Sequence, residues 1–228
     1  MRLLLLSNST NPGSGYLQHA ENWFADFLGP APLTLAFVPF AGVTISHDAY
    51  TARVRDRFEP LGHTVQSVHE AKHAAQLLRN ADAILVGGGN TFVLLETLYR
   101  KSLLDVIRAQ AMAGTPYIGW SAGSNLAGPT IRTTNDMPIA EPPRFVSLGL
   151  VSYQINPHYT DAHPPGHQGE TRAQRIAEFT VVNPEVTVYG LPEGTAIRVE
   201  EDAHTLIGGQ ARRFLGADEP VWVDEIAG

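Results

Sequence analysis

Thr115-Pro116-Tyr117-Ile118-Gly119-Trp120-Ser121-Ala122-Gly123-Ser124-Asn125-Leu126 is the stretch whose reading decides the fold. Its first four residues are apolar and partly aromatic, the make-up of a buried strand. Ala122 to Leu126 lacks β-branched residues and can open a helix. Between them Gly119-Trp120-Ser121-Ala122-Gly123 forms a Gly-x-Ser-x-Gly pattern. Set between a strand and a helix, that pattern reads as a nucleophile elbow. The turn is too tight for bulky flanking residues, so the serine stands at its tip with the next backbone N–H aimed at the same space. A helix beginning there adds unpaired N–H groups and a partial positive charge, which suit a carbonyl turning into an oxyanion. The bland alternative is a tight turn carrying a solvated serine.

Outward from this stretch, strand and helix signals alternate. Strands are expected at Arg2 to Leu6, Leu33 to Phe40, His63 to Val68 and Ala83 to Val86. Helices are expected at Tyr16 to Leu28, Asp48 to Leu61, Glu70 to Arg79, Thr91 to Arg100 and Ser102 to Ala113, with Gly or Gly-Pro stops after several of them. This rhythm predicts an α/β fold: a doubly wound, mostly parallel sheet flanked by helices on both faces. Ligands bind such sheets at the carboxyl ends of the strands. Beyond Ser121, residues 128–148 are rich in Pro, Thr, Asn and Asp and read as long loops. Strands follow at Val151 to Ile155 and Val186 to Tyr189, with a helix from Gly169 to Phe179 between them. Short antiparallel strands at the C-terminus are expected to extend the sheet edge. There is no repeat, low-complexity segment or linker, so residues 1–228 are read as a single domain.

Composition narrows the chemistry. The chain has 228 residues, 43% of them apolar, enough for a sizeable core. With no Cys, disulfides, thiolate metal sites and Cys nucleophiles are excluded, so an elbow can carry only a serine. A net charge of −7 without a Lys/Arg run argues against a nucleic-acid partner. No apolar run approaches the roughly 18 residues of a membrane span. The leucine run after Arg2 is too brief for a signal peptide and reads as a first strand. The expectation is a cytoplasmic protein that binds no membrane.

Ser121, His158 and Glu193 each follow an expected strand, and parallel strands would bring them to one edge. They supply a nucleophile, a general base and a carboxylate to orient the base. Imidazole, with an ordinary pKa of roughly 6.5, can take and return the proton near neutrality. Asp136, in Thr133-Thr134-Asn135-Asp136-Met137-Pro138, is a rival orienter, although Asn-Asp before Met-Pro equally suits a turn. Gly87-Gly88-Gly89-Asn90-Thr91 lacks the pattern and the lysine of a phosphate loop, but its backbone can approach a reacting carbonyl closely. His158, His163 and His167 are separated by prolines on a loop, so no metal site is expected. Arg172 and Arg175 lie on a helix with Glu170 and Glu178 as ordinary partners, or one of them, Arg172 first, grips a substrate carboxylate.

Leu3 to Thr10, Pro39 to Thr44, Val86 to Phe92, Ile118 to Asn125, Pro129 to Pro138, Ile155 to His158 and Gly190 to Gly194 together resemble peptidase E. That family of aspartyl dipeptidases has a fold like the class I glutamine amidotransferases. The resemblance covers residues 1 to 195, and the tail is less similar. It implies hydrolysis of dipeptides or short peptides with N-terminal Asp, without cofactor or metal; a monomer or homodimer is expected. It implies Ser121 as nucleophile, His158 as base and Glu193 as third member, with Asp136 matching the family pattern in an unsettled role. It implies Gly89 and Ala122 as oxyanion N–H donors and Arg172 as the holder of the substrate Asp side chain. Asn90 and Thr134 are counted with Arg172 as substrate-binding residues. The remaining alternatives are an esterase or amidase for another acidic acyl compound and a non-catalytic small-molecule binding module.

Overall fold

The computed structural model describes residues 1–163, 165–166 and 168–228. Its first half alternates as the sequence predicts. The strands are β1 (Arg2–Leu6), β2 (Thr34–Val38), β3 (Thr64–Ser67), β4 (Ala83–Val86) and β5 (Tyr117–Trp120). The helices are α1 (Glu21–Leu28), α2 (His47–Phe58), α3 (Ala74–Asn80), α4 (Thr91–Arg100), α5 (Leu104–Met112) and the one-turn α6 (Ala122–Asn125). The second half holds β6 (Gln154–Tyr159), α7 (Arg172–Val182), β7 (Val188–Pro192), β8 (Ala196–Glu200), β9 (Ala203–Ile207), β10 (Ala211–Phe214) and β11 (Val221–Val223).

The main sheet has strand order β3-β2-β4-β5-β1-β8-β9, parallel through β1 and antiparallel at β8 and β9. Strands buried on both faces need apolar side chains at every position, and Leu3 to Leu6 are all fully buried. Each such leucine contributes about 1.5–3 kcal/mol relative to exposure. Leu4 and Leu6 face Phe24 and Phe27 of α1 and Val54 and Phe58 of α2. Leu3 and Leu5 face the other layer, with Leu94 and Leu98 of α4 and Ile107 of α5.

One expectation needs correction. The C-terminal strands do not all extend the main sheet. Only β8 and β9 do so, while β10 and β11 join β7 and β6 in a second sheet, ordered β11-β10-β7-β6. The reason is edge occupancy: β8 pairs along the whole of β1, from Arg2 opposite Glu200 to Leu6 opposite Ala196. With that edge taken, β6 and β7 pair in parallel with each other. Ile155, Tyr189 and Leu191 pack into the core of the main sheet, while Val188, Tyr159 and Phe214 pack against Ile176 of α7. The segment 128–148 runs without helix or strand apart from a single bridge, Thr130 to Val146.

Candidate active site

Ser121 sits at the end of β5 with φ 53° and ψ −112°, a conformation that non-glycine residues rarely adopt. Its flanking glycines are sterically required. A Cβ on Gly119 would lie 2.5 Å from the Gly123 carbonyl oxygen, and one on Gly123 would lie 2.1 Å from the Val86 carbonyl oxygen. The turn is held from beneath. Ser124 Oγ donates towards the carbonyls of Leu6 (2.6 Å) and Gly119 (2.9 Å), and the buried Tyr117 hydroxyl donates to Gly123 (2.6 Å). Because α6 spans one turn, the positive character near Ser121 comes from individual N–H groups rather than from a long helix dipole.

His158 lies inside β6 rather than after it. Pro157 cannot donate to a ladder, and His158 takes a positive φ of 55°, so the register between β6 and β7 slips between Asn156 and Tyr159. The bulge turns the imidazole out of the sheet. The backbone there is clamped at both ends. Its N–H donates to Ser7 Oγ (2.8 Å), and Arg172 Nη1 donates to its carbonyl. Ser7 Oγ donates in turn to the Leu191 carbonyl at 2.7 Å. The next residue of the same segment, Asn8, accepts at Oδ1 from Gly194 N–H at 2.8 Å. The end of β1 therefore fastens both the His158 bulge and the Glu193 turn to the main sheet.

The outcome is a continuous chain of side chains. Glu193 Oε1 is 2.8 Å from His158 Nδ1, and His158 Nε2 is 2.9 Å from Ser121 Oγ. Such a chain can move the hydroxyl proton to the ring while the carboxylate fixes the tautomer. Asp136 is not part of it. Its Oδ2 accepts from Thr91 N–H (2.7 Å) and Thr91 Oγ1 (2.6 Å), with Thr134 Oγ1 3.0 Å away. Asp136 Oδ1 takes no hydrogen bond among the described residues.

Ser121 and His158 open onto a cavity of about 540 Å³. Gly88, Gly89 and Ala122 line one wall, Thr134 and Asp136 another, and Arg172 and Arg53 contribute cations. Neither Gly89 N–H nor Ala122 N–H is bonded to another part of the chain among the described residues. Gly89 has φ 136°, and a Cβ there would lie 2.1 Å from the Ala41 carbonyl oxygen, so only glycine fits. Asn90 turns away from the cavity. Its side chain accepts from Val93 N–H (3.1 Å) as the N-cap of α4 and donates to the Met137 carbonyl (2.8 Å).

Arg172 is the first residue of α7, whose start is fixed by a capping box between Thr171 and Gln174. Burial, and then the neighbouring Arg175, lowers its pKa from the usual guanidinium value, but a guanidinium stays charged at neutral pH. Arg175 pairs with Glu170 at 3.6 Å, whereas Arg172 has no carboxylate partner among the described residues. The same holds for the exposed Arg53 of α2. Of the other histidines named from sequence, His163 has Nδ1 3.1 Å from the Asp161 carbonyl oxygen, and His167 lies outside the described residues. Ser7, Asn8, Tyr50, Arg53 and Thr91 were not singled out from sequence. Ser7-Asn8 at the end of the first strand was the available signal for two of them.

Residues 3–207 match the family model described as Peptidase family S51. This chain belongs to peptidase family S51. It is accordingly a serine-type peptidase. A peptidase E of Nostoc sp. is 51% identical over 209 residues, spanning 92% of this chain and 86% of the relative. A peptidase E of Shewanella amazonensis is 50% identical over 215 residues, spanning 94% and 91%. The crystal structure of a peptidase from an acI-B1 actinobacterium shares the fold, with TM-score 0.68 and 17% identity over 98% of this chain and 94% of that one. Among the described residues, no helix is long and apolar enough to cross a membrane.

Proposed function

We propose that this family S51 peptidase hydrolyses dipeptides and other short peptides beginning with Asp, through a Ser121-His158-Glu193 triad and an acyl-enzyme. The observation that carries the reading is the hydrogen-bond chain from Glu193 through His158 to Ser121, at a cavity also lined by Arg172, which has no carboxylate partner among the described residues. His158 Nε2 takes the Ser121 proton as Oγ attacks the carbonyl carbon of the N-terminal residue. The oxyanion is met by the N–H groups of Gly89 and Ala122. On collapse, His158 gives the proton to the departing amine and an ester to Ser121 remains. Water then enters, His158 takes its proton, and the ester breaks to release free Asp and restore the serine.

The cavity's charges suit this substrate. Arg172 answers the β-carboxylate. Left facing a neutral side chain, it would stay unpaired in a half-buried wall, which gives discrimination. The uncommitted Oδ1 of Asp136 answers the α-ammonium, an arrangement that requires a free N-terminus. Arg53, on the α2 side of the cavity, answers the carboxylate that a dipeptide leaving group carries. The relatives named peptidase E add support.

The test is a hydrolysis screen of Asp-Leu, Asn-Leu, Glu-Leu, Ala-Leu and N-acetyl-Asp-Leu with the wild type and Ser121→Ala. Asp-Leu is expected to lead by more than tenfold, the acetylated peptide to be inert, and the folded Ser121→Ala protein to be inactive. Equal turnover of Ala-Leu and Asp-Leu, or of Asp-Leu by both proteins, would remove the reading.

A further inference from the structure

Gly88 and Gly89, which follow Gly87, line the cavity with no side chains of their own to hold their peptide planes. Glycine backbones have many accessible conformations, so something else must fix which way the Gly88–Gly89 peptide faces. Tyr50 of α2, almost wholly buried and itself lining part of the cavity, packs against this peptide. A Cβ on Gly87 would be 2.5 Å from the Tyr50 hydroxyl oxygen, and the hydroxyl is 2.9 Å from the Gly88 carbonyl oxygen. On the cavity side, a Cβ on Gly88 would be 2.9 Å from Ser121 Cβ. The peptide is thus sandwiched between the tyrosine and the serine.

The direction of the hydrogen bond at Tyr50 is settled by its neighbours. Trp120 Nε1 lies 3.1 Å from the Tyr50 oxygen, and an indole can only donate. Tyr16 OH donates to the same oxygen at 3.3 Å. The Gly88 carbonyl can only accept, so it receives the Tyr50 proton. The ring itself cannot swing: Phe37 meets it edge-on at 5.1 Å, and Phe37 stacks on Trp120 at 6.0 Å. In a trans peptide the carbonyl and the following N–H point in opposite directions. Holding the Gly88 carbonyl against Tyr50 therefore turns the N–H of Gly89, a residue that lines the cavity, away from the tyrosine.

We propose that Tyr50 is a positioning residue that keeps the Gly88–Gly89 peptide facing N–H first, its hydroxyl oriented by the indole of Trp120 next to the nucleophile. This inference rests on the reading of Gly89 as an oxyanion donor. Without the Tyr50 proton the peptide can rotate, presenting a carbonyl to the oxyanion or donating in only part of the population. Loss of one oxyanion donor lowers kcat by about 100- to 1,000-fold; partial loss of orientation lowers it by about 10- to 100-fold.

The experiment compares the wild type with Tyr50→Phe and with two variants carrying 4-methylphenylalanine or 4-aminophenylalanine at position 50. The methyl side chain fills the space of tyrosine without donating, and the amino side chain keeps an N–H to donate to Gly88. Each is assayed on Asp-Leu, and each is titrated with aspartyl aldehyde, which forms a tetrahedral adduct on the serine, and with free aspartate, which does not. The expected result is a kcat lowered about 10- to 100-fold in the Phe and methyl variants with KM within about twofold, and recovery to within about threefold in the amino variant. Aldehyde affinity should fall with kcat while aspartate affinity holds. A kcat within twofold of wild type in the methyl variant, the same loss in the amino variant, or equal losses for aldehyde and aspartate would overturn the proposal. Failure of the peptidase reading would look different, since the wild type itself would then hydrolyse Asp-Leu no faster than Ser121→Ala.

Discussion

Replacing Ser7 with Ala removes one oxygen atom from a fully buried residue. That atom accepts from His158 N–H at 2.8 Å and donates to the Leu191 carbonyl at 2.7 Å. Leaving a buried polar group without its partner costs about 1–3 kcal/mol, so two such groups cost about 2–6 kcal/mol. The total stability of a domain is only about 5–15 kcal/mol, so the loss is measurable. The functional effect comes through His158, whose positive φ of 55° is retained only because its surroundings impose it. With Ser7 gone, the backbone of the bulge keeps the Arg172 contact to the His158 carbonyl and the Asn135 contact to the Pro157 carbonyl but loses its tie to the end of β1, and the imidazole drifts relative to Ser121 Oγ. Misplacement of a catalytic group by about 1 Å can lower the rate about 100-fold, so a kcat reduced about 10- to 100-fold is expected. Urea unfolding followed by tryptophan fluorescence measures the first effect and steady-state hydrolysis of Asp-Leu the second. An unfolding midpoint equal to wild type together with kcat within twofold would refute the argument that the end of β1 holds the histidine.

Glu193→Gln should lower kcat about 100-fold with little change in KM, whereas Asp136→Asn should chiefly raise KM for peptides with a free N-terminus; the opposite pattern in steady-state kinetics would exchange their roles. Arg53→Gln should reduce kcat/KM for Asp-Leu about fivefold and leave Asp-leucinamide unchanged, and equal effects on the two would remove Arg53 from leaving-group recognition. Acidification should destabilise the fold. Burial lowers the pKa of His19, His63 and His204 below the ordinary 6.5, so the unfolded chain binds protons that the folded one refuses, and their stabilisation, present above that value, is lost as pH falls through it. Thermal melts at pH 7.5 and 5.5 test this, and a higher Tm at pH 5.5 would contradict it.

The first half of the fold was legible because each element carries its own signal. Leu3 to Leu6 can only be a strand buried on both faces, and glycine follows α1, α5 and the expected second helix. Ser121 was equally legible, since the Gly-x-Ser-x-Gly pattern lies within one short turn, although the clash that requires Gly123 is with Val86 of the neighbouring β4. The second sheet was not legible, because competition for the edge of β1 is a contest between segments far apart in the chain. His158 and Glu193 were found as residue types beside strands, but the bulge that turns the imidazole outward depends on Ser7, more than a hundred residues earlier. Asn90 reads as a ligand group beside a glycine turn, yet capping α4 and tethering Met137 engage its side chain. Tyr50 lies within the expected helix Asp48 to Leu61 with no signal of its own. Nothing in the one-dimensional pattern tells that its oxygen meets a glycine carbonyl rather than solvent.

The placement of the serine on the main sheet and of the imidazole and carboxylate on the second has a consequence for biosynthesis. A nascent chain that has emerged only as far as Leu126 already contains Leu6, Val86, Tyr117 and Ser124, which hold the Ser121 turn from beneath, yet it has neither His158 nor Glu193. If the proposed triad does the chemistry, hydrolytic competence arrives only when the later strands have been made and joined to Ser7 and Asn8. On the proposed triad, a polypeptide that stops before His158 and Glu193 does not cleave peptides, and the appearance of turnover during translation would serve as a clock for the closure of the two layers.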